Sequence, residues 1–238
     1  MEVKEFIQVL KQDIEQKSIL KHPFYQMWSE GLLTLDNLKG YAGQYYKIVD
    51  TWPQWISAVH SNCSDKKSRQ ILVKNLAEEE LGVNAGDRQH SELWIDFGVG
   101  LGAEKDEIEF SQLLPETHAA LTIFNNNIRN RSFIESVGAL YAYEQQVPEV
   151  AKTKAHGLQT FYGITDASTL EFFNVHSTVD VRHAKIWEVF IEKFAIGTII
   201  QEKVRKTLNE ALDAQLMFLD GVYREYITEE QKALCKFV

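Results

Sequence analysis

Residues 168–194 carry an apolar stripe whose side chains recur every three or four positions. This spacing marks one face of an α-helix, because about 3.6 residues make a turn. The stripe consists of Phe173, His176, Asp180, His183, Trp187, Phe190 and Phe194. Aromatic residues at both ends place the stripe against a core, so the histidines and the aspartate in its middle are predicted to be buried. Ser168 and Glu171 have the spacing of a capping box and predict where the helix starts.

Helical spacing also describes most of the remaining chain. Pro23 and Pro115 suit the first turn of a helix, and Thr34 and Ser132 suit N-caps. Pro53 is expected to bend or break the long helix that contains it. The other predicted helices cover residues 3–20, 23–28, 34–60, 64–80, 90–97, 115–125, 132 to beyond 150, and 199–223. No segment of useful length alternates with period two, so we predict an all-α fold with seven or more helices.

Length and composition indicate one globular domain. A chain of 238 residues can bury about 70–75% of its unfolded surface, and no linker divides it, so we predict one domain over residues 1–238. The net charge of -9 argues against binding to nucleic acid, and no apolar run approaches the roughly 20 residues of a membrane span. Cys63 and Cys235 fit a reducing compartment rather than a disulfide framework. Because the N-terminus lacks the pattern of a signal peptide, we expect a cytoplasmic protein.

An acidic run provides a further candidate ligand. Glu79 continues the spacing of the apolar residues before it, whereas Glu78 and Glu80 are predicted to be solvated. His90 opens the next apolar stripe, and the glycine-containing segment 81–87 interrupts the helix between them. This break lets the chain fold back, so that Glu79 and His90 can serve one site.

A lone carboxylate occupies the stripe of the helix after Ser132. Glu144 lies there among apolar residues, and Lys154 is on the same stripe. Pro148 cannot donate to the carbonyl of Glu144, which predicts a kink.

These stripes together predict a metal site. Its candidate ligands are Glu79, His90, Glu144, His176, Asp180 and His183. Mixed carboxylate and imidazole ligands suit iron or manganese, and six side chains can share two ions. The Glu-x-x-His motif of ferritin-like proteins is absent from the sequence, which indicates a different helical architecture. The remaining histidines, His22, His60, His118 and His156, are predicted to be caps or surface residues.

Several short motifs resemble those of the heme-oxygenase-like dinuclear oxidases with the TenA/PqqC-like fold. Within this family the chain is most similar to the group of the chlamydial protein associating with death domains (CADD) and its bacterial relatives. The matching motifs are Phe24–Tyr25 with Trp28–Ser29, Asn75–Leu76 before the acidic run, Tyr143–Glu144 with Gln146 and Pro148, and His176 with Asp180–Val181–Arg182–His183–Ala184. The family's metal ligands correspond to the same six residues, although the loop before His90 is longer here.

The resemblance implies an activity as well as a fold. Proteins of the CADD group are expected to make 4-aminobenzoate for folate synthesis, with a tyrosine of their own chain as carbon source and a lysine as nitrogen donor. The matching residues are Tyr25 and Lys154, with Tyr41 as a second relevant tyrosine. The implied cofactors are two metal ions (Fe/Fe or Mn/Fe), O₂ and an external reductant.

Other functions are compatible with the same fold. A cofactorless enzyme of the PqqC or TenA type is one alternative, although a TenA thiaminase needs a cysteine nucleophile in its pocket. A CADD-like protein that binds a host death domain is another, if the organism is host-associated. We also expect a homodimer, the commonest soluble oligomer.

Overall fold

A computed structural model describes residues 1–83 and 88–235, except for the side chains of residues 178–181. All regular elements in these ranges are helical, which confirms the predicted all-α class. Residues Ile19–Lys21 form one 3₁₀ turn. The α-helices are α1 (Val3–Gln16), α2 (Pro23–Ser29), α3 (Leu35–Asn62), α4 (Lys66–Leu81), α5 (His90–Gly100), α6 (Lys105–Glu109), α7 (Pro115–Arg129), α8 (Phe133–Glu144), α9 (Val147–Phe161), α10 (Ala167–Phe194), α11 (Thr198–Tyr226) and α12 (Glu229–Leu234).

Two expected helices differ from the structure. The segment after Ser132 is not one kinked helix, because α8 ends at Glu144 and α9 begins at Val147. Pro148 lies in the first turn of α9, where its missing N–H leaves no backbone hydrogen bond unmade. In contrast, α3 continues through Pro53 and ends at Asn62.

The start of α10 is set by a different cap from the one predicted. Asp166 is the N-cap, and its side chain accepts a hydrogen bond of 2.9 Å from the amide of Thr169. Ser168 therefore lies inside the helix. Glu171 accepts a hydrogen bond from Arg88 instead of closing a capping box. The capping-box prediction was wrong because Asp166, two residues earlier, is an equally good acceptor.

Helix α10 is the centre of the bundle. It packs against α9, α5 and α8, and also against α1 and α4. Helix α11 covers the other side of α8 and also contacts α7 and α3. The aromatic members of the predicted stripe, Phe173, Trp187 and Phe190, are almost completely buried. Helix α10 thus brings its middle turns to the level where α4, α5 and α8 meet.

Ion pairs fix α4 and α5 against α10. Helices α4 and α10 run antiparallel, since Lys193 pairs with Asp65 at 2.7 Å near one end while the other end of α4 lies beside His183. Helix α4 ends at Leu81, and its C-cap Gly82 has a φ of 69°, which favours glycine. Just before α5, Arg88 bonds both Asp96 of α5 and Glu171 of α10.

One glycine lets α2 approach α9 closely. A Cβ atom at Gly157 would lie 2.7 Å from Cδ1 of Trp28, so any other residue would force the helices apart. At this crossing the Trp28 indole donates a hydrogen bond of 3.2 Å to the carbonyl of Lys154. The close approach places Tyr25 of α2 beside the Lys154 side chain.

Among the described residues, no helix combines the length and apolar character that crossing a bilayer requires.

Candidate active site

Buried carboxylates and imidazoles converge where α4, α5, α8 and α10 meet. One donor atom from each of Glu79, His90 and His176 lies within 4.8 Å of the other two. Donors on opposite sides of a first-row metal ion lie roughly 4.2 Å apart, since each bond is about 2.1 Å. The three side chains are therefore near the spacing needed to share one ion. Each of them exposes less than a tenth of its surface.

The carboxylate of Glu79 lies between two imidazoles. Its Oε2 atom is 2.5 Å from Nδ1 of His90, and its Oε1 atom is 3.4 Å from Nδ1 of His183. Glu144 approaches the same nitrogen of His183, with Oε2 at 3.9 Å. The donor atoms thus form two neighbouring groups. One oxygen of Glu79 faces His90, and the other faces His183.

The positive character of the imidazoles stabilises the Glu79 carboxylate. Burial alone would raise the pKa of this group, but His90, His183 and His176 outweigh burial and lower it to about 2. Glu79 is therefore ionised over the physiological range, as a metal ligand must be.

The backbone fixes the orientation of His176. Its Nδ1 atom donates to the carbonyl of Phe172 at 2.7 Å, because a carbonyl oxygen can only accept. The Phe172 ring stacks on the imidazole at 3.9 Å between ring centres. Nε2 would then be the atom that coordinates a metal, since metal-bound histidines typically donate their other ring nitrogen to such a partner.

Glu78 is not solvated, contrary to the prediction. It is 7% exposed, and its Oε2 atom lies 2.8 Å from Nε2 of His183 and 3.2 Å from Nη2 of Arg182. Helix α4 is packed against both α3 and α10, so two consecutive residues can each face a neighbouring helix. A carboxylate on the far nitrogen of a histidine holds the ring with its other nitrogen towards the site. Glu80 is exposed, as predicted.

Five of the six predicted ligands are thus brought together, namely Glu79, His90, Glu144, His176 and His183. The side chain of Asp180 lies outside the described residues. The other histidines lie apart from this cluster: His22 is buried as the N-cap of α2, whereas His118 and His156 are exposed. The donor set of carboxylates and imidazoles fits iron or manganese.

A buried lysine forms a second group beside this cluster. Lys154 is 3% exposed, and its Nζ atom is 2.6 Å from the hydroxyl of Tyr41. Its Nζ atom also lies 4.8–5.8 Å from the centres of six aromatic rings, those of Tyr25, Trp28, Tyr41, Tyr45, Trp94 and Phe173. Burial lowers the pKa of Lys154 well below its usual range, because the charged form loses its hydration. Burial therefore favours the uncharged form of the amine, which is the nucleophilic form.

Tyr25 is linked to this amine through Tyr41. The two phenolic oxygens are 3.0 Å apart, and the Lys154 Nζ atom is 4.9 Å from the centre of the Tyr25 ring. Burial raises the pKa of both phenols above the usual value, although the hydrogen bond between Tyr25 and Tyr41 opposes part of the shift at Tyr25. Both tyrosines are therefore protonated. The structure brings together the lysine and both tyrosines that the sequence singled out.

Two cavities adjoin at this level of the bundle. One is lined by Glu79, His90, Glu144 and His176, and the other by Tyr25 and Lys154. Five further residues line both cavities and form their shared wall: Tyr45, Ile48, Tyr143, Val147 and Phe172. Neither cavity has a cysteine among its described lining residues, which counts against thiaminase chemistry.

Sequence reasoning did not identify Glu78, Tyr45 or Tyr143 as parts of the site. Tyr143 directly precedes Glu144 in the motif that also contains Gln146 and Pro148. This position was the signal available in the sequence. Tyr45 lies one turn after Tyr41 on α3, so its helical face also pointed to the site.

Comparison with known proteins identifies the family. Residues 39–216 match the family described as iron-containing redox enzyme, and the chain belongs to this family. It is 37% identical to the 4-aminobenzoate synthase of Nitrosomonas europaea over 96% of each chain. It is 34% identical to the 4-aminobenzoate synthase of Chlamydia trachomatis over 91% of each chain.

A solved structure supports the fold. A CADD-like protein of unknown function from Nostoc punctiforme superposes with a TM-score of 0.80 at 18% identity, over 95% of this chain and 99% of the other. This likeness concerns the fold alone. The resemblance found in the sequence motifs and the heme-oxygenase-like fold class are thus confirmed, and the protein is a redox enzyme of a metal-using family.

The burial of Lys154 leads to a prediction about stability. Between the lowered pKa of the folded state and the usual lysine pKa of about 10.4, the unfolded chain binds a proton that the folded chain does not. The amine therefore destabilises the fold near pH 7, and this cost shrinks as the pH rises. We expect Lys154→Met to raise the free energy of unfolding at pH 7, by about 1.4 kcal/mol for each unit of pKa difference.

Denaturant unfolding at several pH values between 7 and 10 measures this effect. The advantage of the Met variant should decrease towards pH 10. Both proteins contain Tyr25, Tyr41 and Tyr45, which face residue 154. The contributions of these tyrosines to the pH dependence of unfolding therefore cancel in the difference between the two proteins. The exposed residue Lys152 provides the control, because Lys152→Met should show no such pH dependence. A Met variant that is no more stable at pH 7 would contradict an uncharged amine.

Proposed function

We propose that this protein is a metal-dependent oxygenase that makes 4-aminobenzoate for folate synthesis from its own Tyr25, with Lys154 as nitrogen donor. One observation carries the proposal: a buried lysine amine, whose pKa is lowered by burial, is held 4.9 Å from the centre of a buried tyrosine ring. A cavity lined by metal-binding side chains adjoins them. The names of the relatives from Nitrosomonas europaea and Chlamydia trachomatis support the same reaction.

The atoms of the product match those of the two side chains. A 4-aminobenzoate molecule contains a benzene ring, one carboxyl carbon and one amino nitrogen. The Tyr25 side chain supplies the ring and Cβ, and Lys154 supplies the nitrogen. The ring C–O bond is replaced by a C–N bond, and the phenolic oxygen leaves as water. The Cε–Nζ bond of Lys154 breaks, and Cε is oxidised to the aldehyde level. The Cα–Cβ bond of Tyr25 breaks, Cα takes up a hydrogen, and Cβ is oxidised to the carboxyl group. Dioxygen is the oxidant, and an external reductant supplies the electrons that complete its reduction. Because Lys154 gives up Nζ, each chain reacts once.

The proposed metal centre contains two ions, Fe/Fe or Mn/Fe. Glu79, His90, Glu144, His176, Asp180 and His183 would hold them. Bound metal would supply the activation of O₂. The two oxygens of Glu79 face different imidazoles, so Glu79 would hold metal together with His90 and with His183. Glu78 would orient His183 from behind.

The chain's own residues prepare the amine and the phenol for reaction. Tyr41 holds both the Lys154 nitrogen and the Tyr25 hydroxyl by hydrogen bonds. Permanent attachment of both reactants to one scaffold gives the advantage of an intramolecular reaction. The surrounding aromatic rings exclude water, which keeps the amine uncharged and limits side reactions of oxidised Tyr25.

The metal assignment predicts a loss of metal on changing His176. We expect about two ions per chain in the wild-type protein expressed with iron and manganese. His176→Ala should remove at least one ion while the helix content stays the same. Metal analysis and circular dichroism measure the two quantities. A His176→Ala variant with full metal occupancy would overturn the assignment.

The acidic run provides a graded control for the same experiment. Glu79→Ala should lose metal as His176→Ala does. Glu78→Ala should weaken metal binding by roughly 10–100-fold, the usual effect of removing an outer partner of a ligand. Glu80→Ala should bind metal like the wild type, because its side chain is exposed. Equal metal affinity in the Glu78 and Glu80 variants would show that Glu78 does not support His183.

The proposed reaction predicts a labelled product in limited amount. Protein grown with ring-labelled tyrosine, then given metal, O₂ and reductant, should release labelled 4-aminobenzoate at no more than one equivalent per chain. Tyr25→Phe should abolish the product and retain metal, since the ring then lacks the oxidisable phenol. Lys154→Arg should abolish or strongly reduce the product, because a guanidinium stays charged.

Lys152→Arg is the matched control for the lysine, as it changes an exposed residue on the same helix. Its yield should equal that of the wild type. Normal yield of product from Tyr25→Phe would exclude Tyr25 as the carbon source.

A further inference from the structure

Tyr25 and the candidate metal ligands line different cavities. Tyr25 borders the cavity of Lys154, whereas Glu79, His90, Glu144 and His176 border the adjoining one. An oxidising equivalent supplied by metal bound to these ligands would have to pass the residues that line both cavities to reach the phenol. The residues of this wall determine how the equivalent can cross.

Two of the five wall residues can be oxidised at moderate potential. Tyr45 and Tyr143 each line both cavities, and their hydroxyl groups are hydrogen-bonded to each other. Ile48, Val147 and Phe172, which complete the shared wall, have no such side chain. A pair of hydrogen-bonded phenols can pass a hydrogen atom from one oxygen to the other.

The path continues from the wall to Tyr25 without a gap. The ring of Tyr45 stacks on that of Tyr41, with 5.4 Å between centres and 26° between planes. The hydroxyl of Tyr41 in turn lies 3.0 Å from that of Tyr25. Tyr143 lines the same cavity as Glu144 and the other candidate ligands, so the far end of the path reaches them.

We propose that Tyr143 and Tyr45 form a redox relay that carries the oxidising equivalent through the shared wall, and then by way of Tyr41 to Tyr25. The relay rests on the proposed function, since it supplies the oxidation of Tyr25 that the reaction requires. Tyr143, Tyr45 and Tyr41 act as carriers and are not consumed.

The transfer balances when each carrier recovers its hydrogen. Tyr143 gives a hydrogen atom to the oxidant derived from O₂, and Tyr45 replaces it through their hydrogen bond. Tyr45 then takes an electron from Tyr41 across the stacked rings, while the phenolic proton of Tyr41 moves to Nζ of Lys154 at 2.6 Å. Tyr41 recovers a hydrogen atom from Tyr25, and Lys154 passes its extra proton to the Tyr45 oxygen. In sum, one hydrogen atom leaves Tyr25 and reaches the oxidant, and the Lys154 amine is again uncharged.

Trp94 offers a competing route. Its ring is 4.6 Å from that of Tyr45 and 5.8 Å from that of Tyr41, between ring centres. It is not among the described lining residues of either cavity, however, and its indole N–H donates to the carbonyl of Ala42. The two phenols in the wall are therefore the more direct carriers, and a phenylalanine at either position would interrupt them.

The test uses Tyr45→Phe and Tyr143→Phe in the metal-loaded, full-length protein. Both variants should keep the wild-type metal content and melting temperature, because only a hydroxyl group is removed. Single-turnover formation of 4-aminobenzoate should slow at least roughly tenfold. Tyr141→Phe is the matched control: Tyr141 is a buried tyrosine on the same helix whose hydroxyl faces Glu188, and the variant should behave like the wild type.

Rapid-freeze electron paramagnetic resonance with ring-deuterated tyrosine locates the radical. In Tyr45→Phe the tyrosyl signal should persist at Tyr143 and fail to decay into product. In Tyr143→Phe no tyrosyl signal should form. The relay would be overturned if both variants formed product at the wild-type rate and if the radical also formed and decayed in them at wild-type rates. If the wild type itself released no labelled 4-aminobenzoate, the proposed function would fail instead, so the two failures are distinguishable.

Discussion

A carboxylate buried at the centre of the bundle needs partners that offset its lost hydration, and this requirement connects the helices around α10. Glu79 of α4 lies between His90 of α5 and His183 of α10, while Glu144 of α8 approaches His183 from another side. Without these partners each carboxylate would carry the full penalty of losing water. The same convergence that satisfies the charges produces a donor set suited to iron or manganese. Structural stability and metal chemistry thus depend on one arrangement.

The second constraint is the separation of that charged cluster from an uncharged amine. Lys154 lies among aromatic rings, where burial lowers its pKa well below the usual range. An ionised carboxylate next to the amine would instead favour its protonated form. The wall containing Tyr45 and Tyr143 keeps the two environments apart, and it also offers a path for oxidation between them. Gly157 contributes to this geometry, because it lets α2 approach α9 closely enough for Tyr25 to lie beside the Lys154 amine.

The main helices and most of the candidate site could be predicted from the sequence. The helix that contains His176 and His183 has one dominant apolar face, so its periodicity correctly predicted that both side chains are buried. Glu78 was misplaced because periodicity assigns a single inward face, whereas α4 is packed on two sides. The aromatic surroundings of Lys154 could not be predicted either, since they come from four helices, α2, α3, α5 and α10, that are far from Lys154 in the sequence or separated from one another. A tyrosine such as Tyr45 looks like an ordinary core residue until its neighbours across the bundle are known.

The central claim is that the protein consumes two of its own side chains, and peptide mass mapping after one turnover tests it most directly. Metal-loaded protein is exposed to O₂ and reductant, digested, and compared with an anaerobic sample. The account predicts that the peptide containing residue 25 loses the tyrosine side chain and that the peptide containing residue 154 loses its amine nitrogen. Both losses should equal the amount of 4-aminobenzoate released. Release of 4-aminobenzoate with both peptides unchanged would contradict the account, because the carbon and nitrogen would then come from an external substrate.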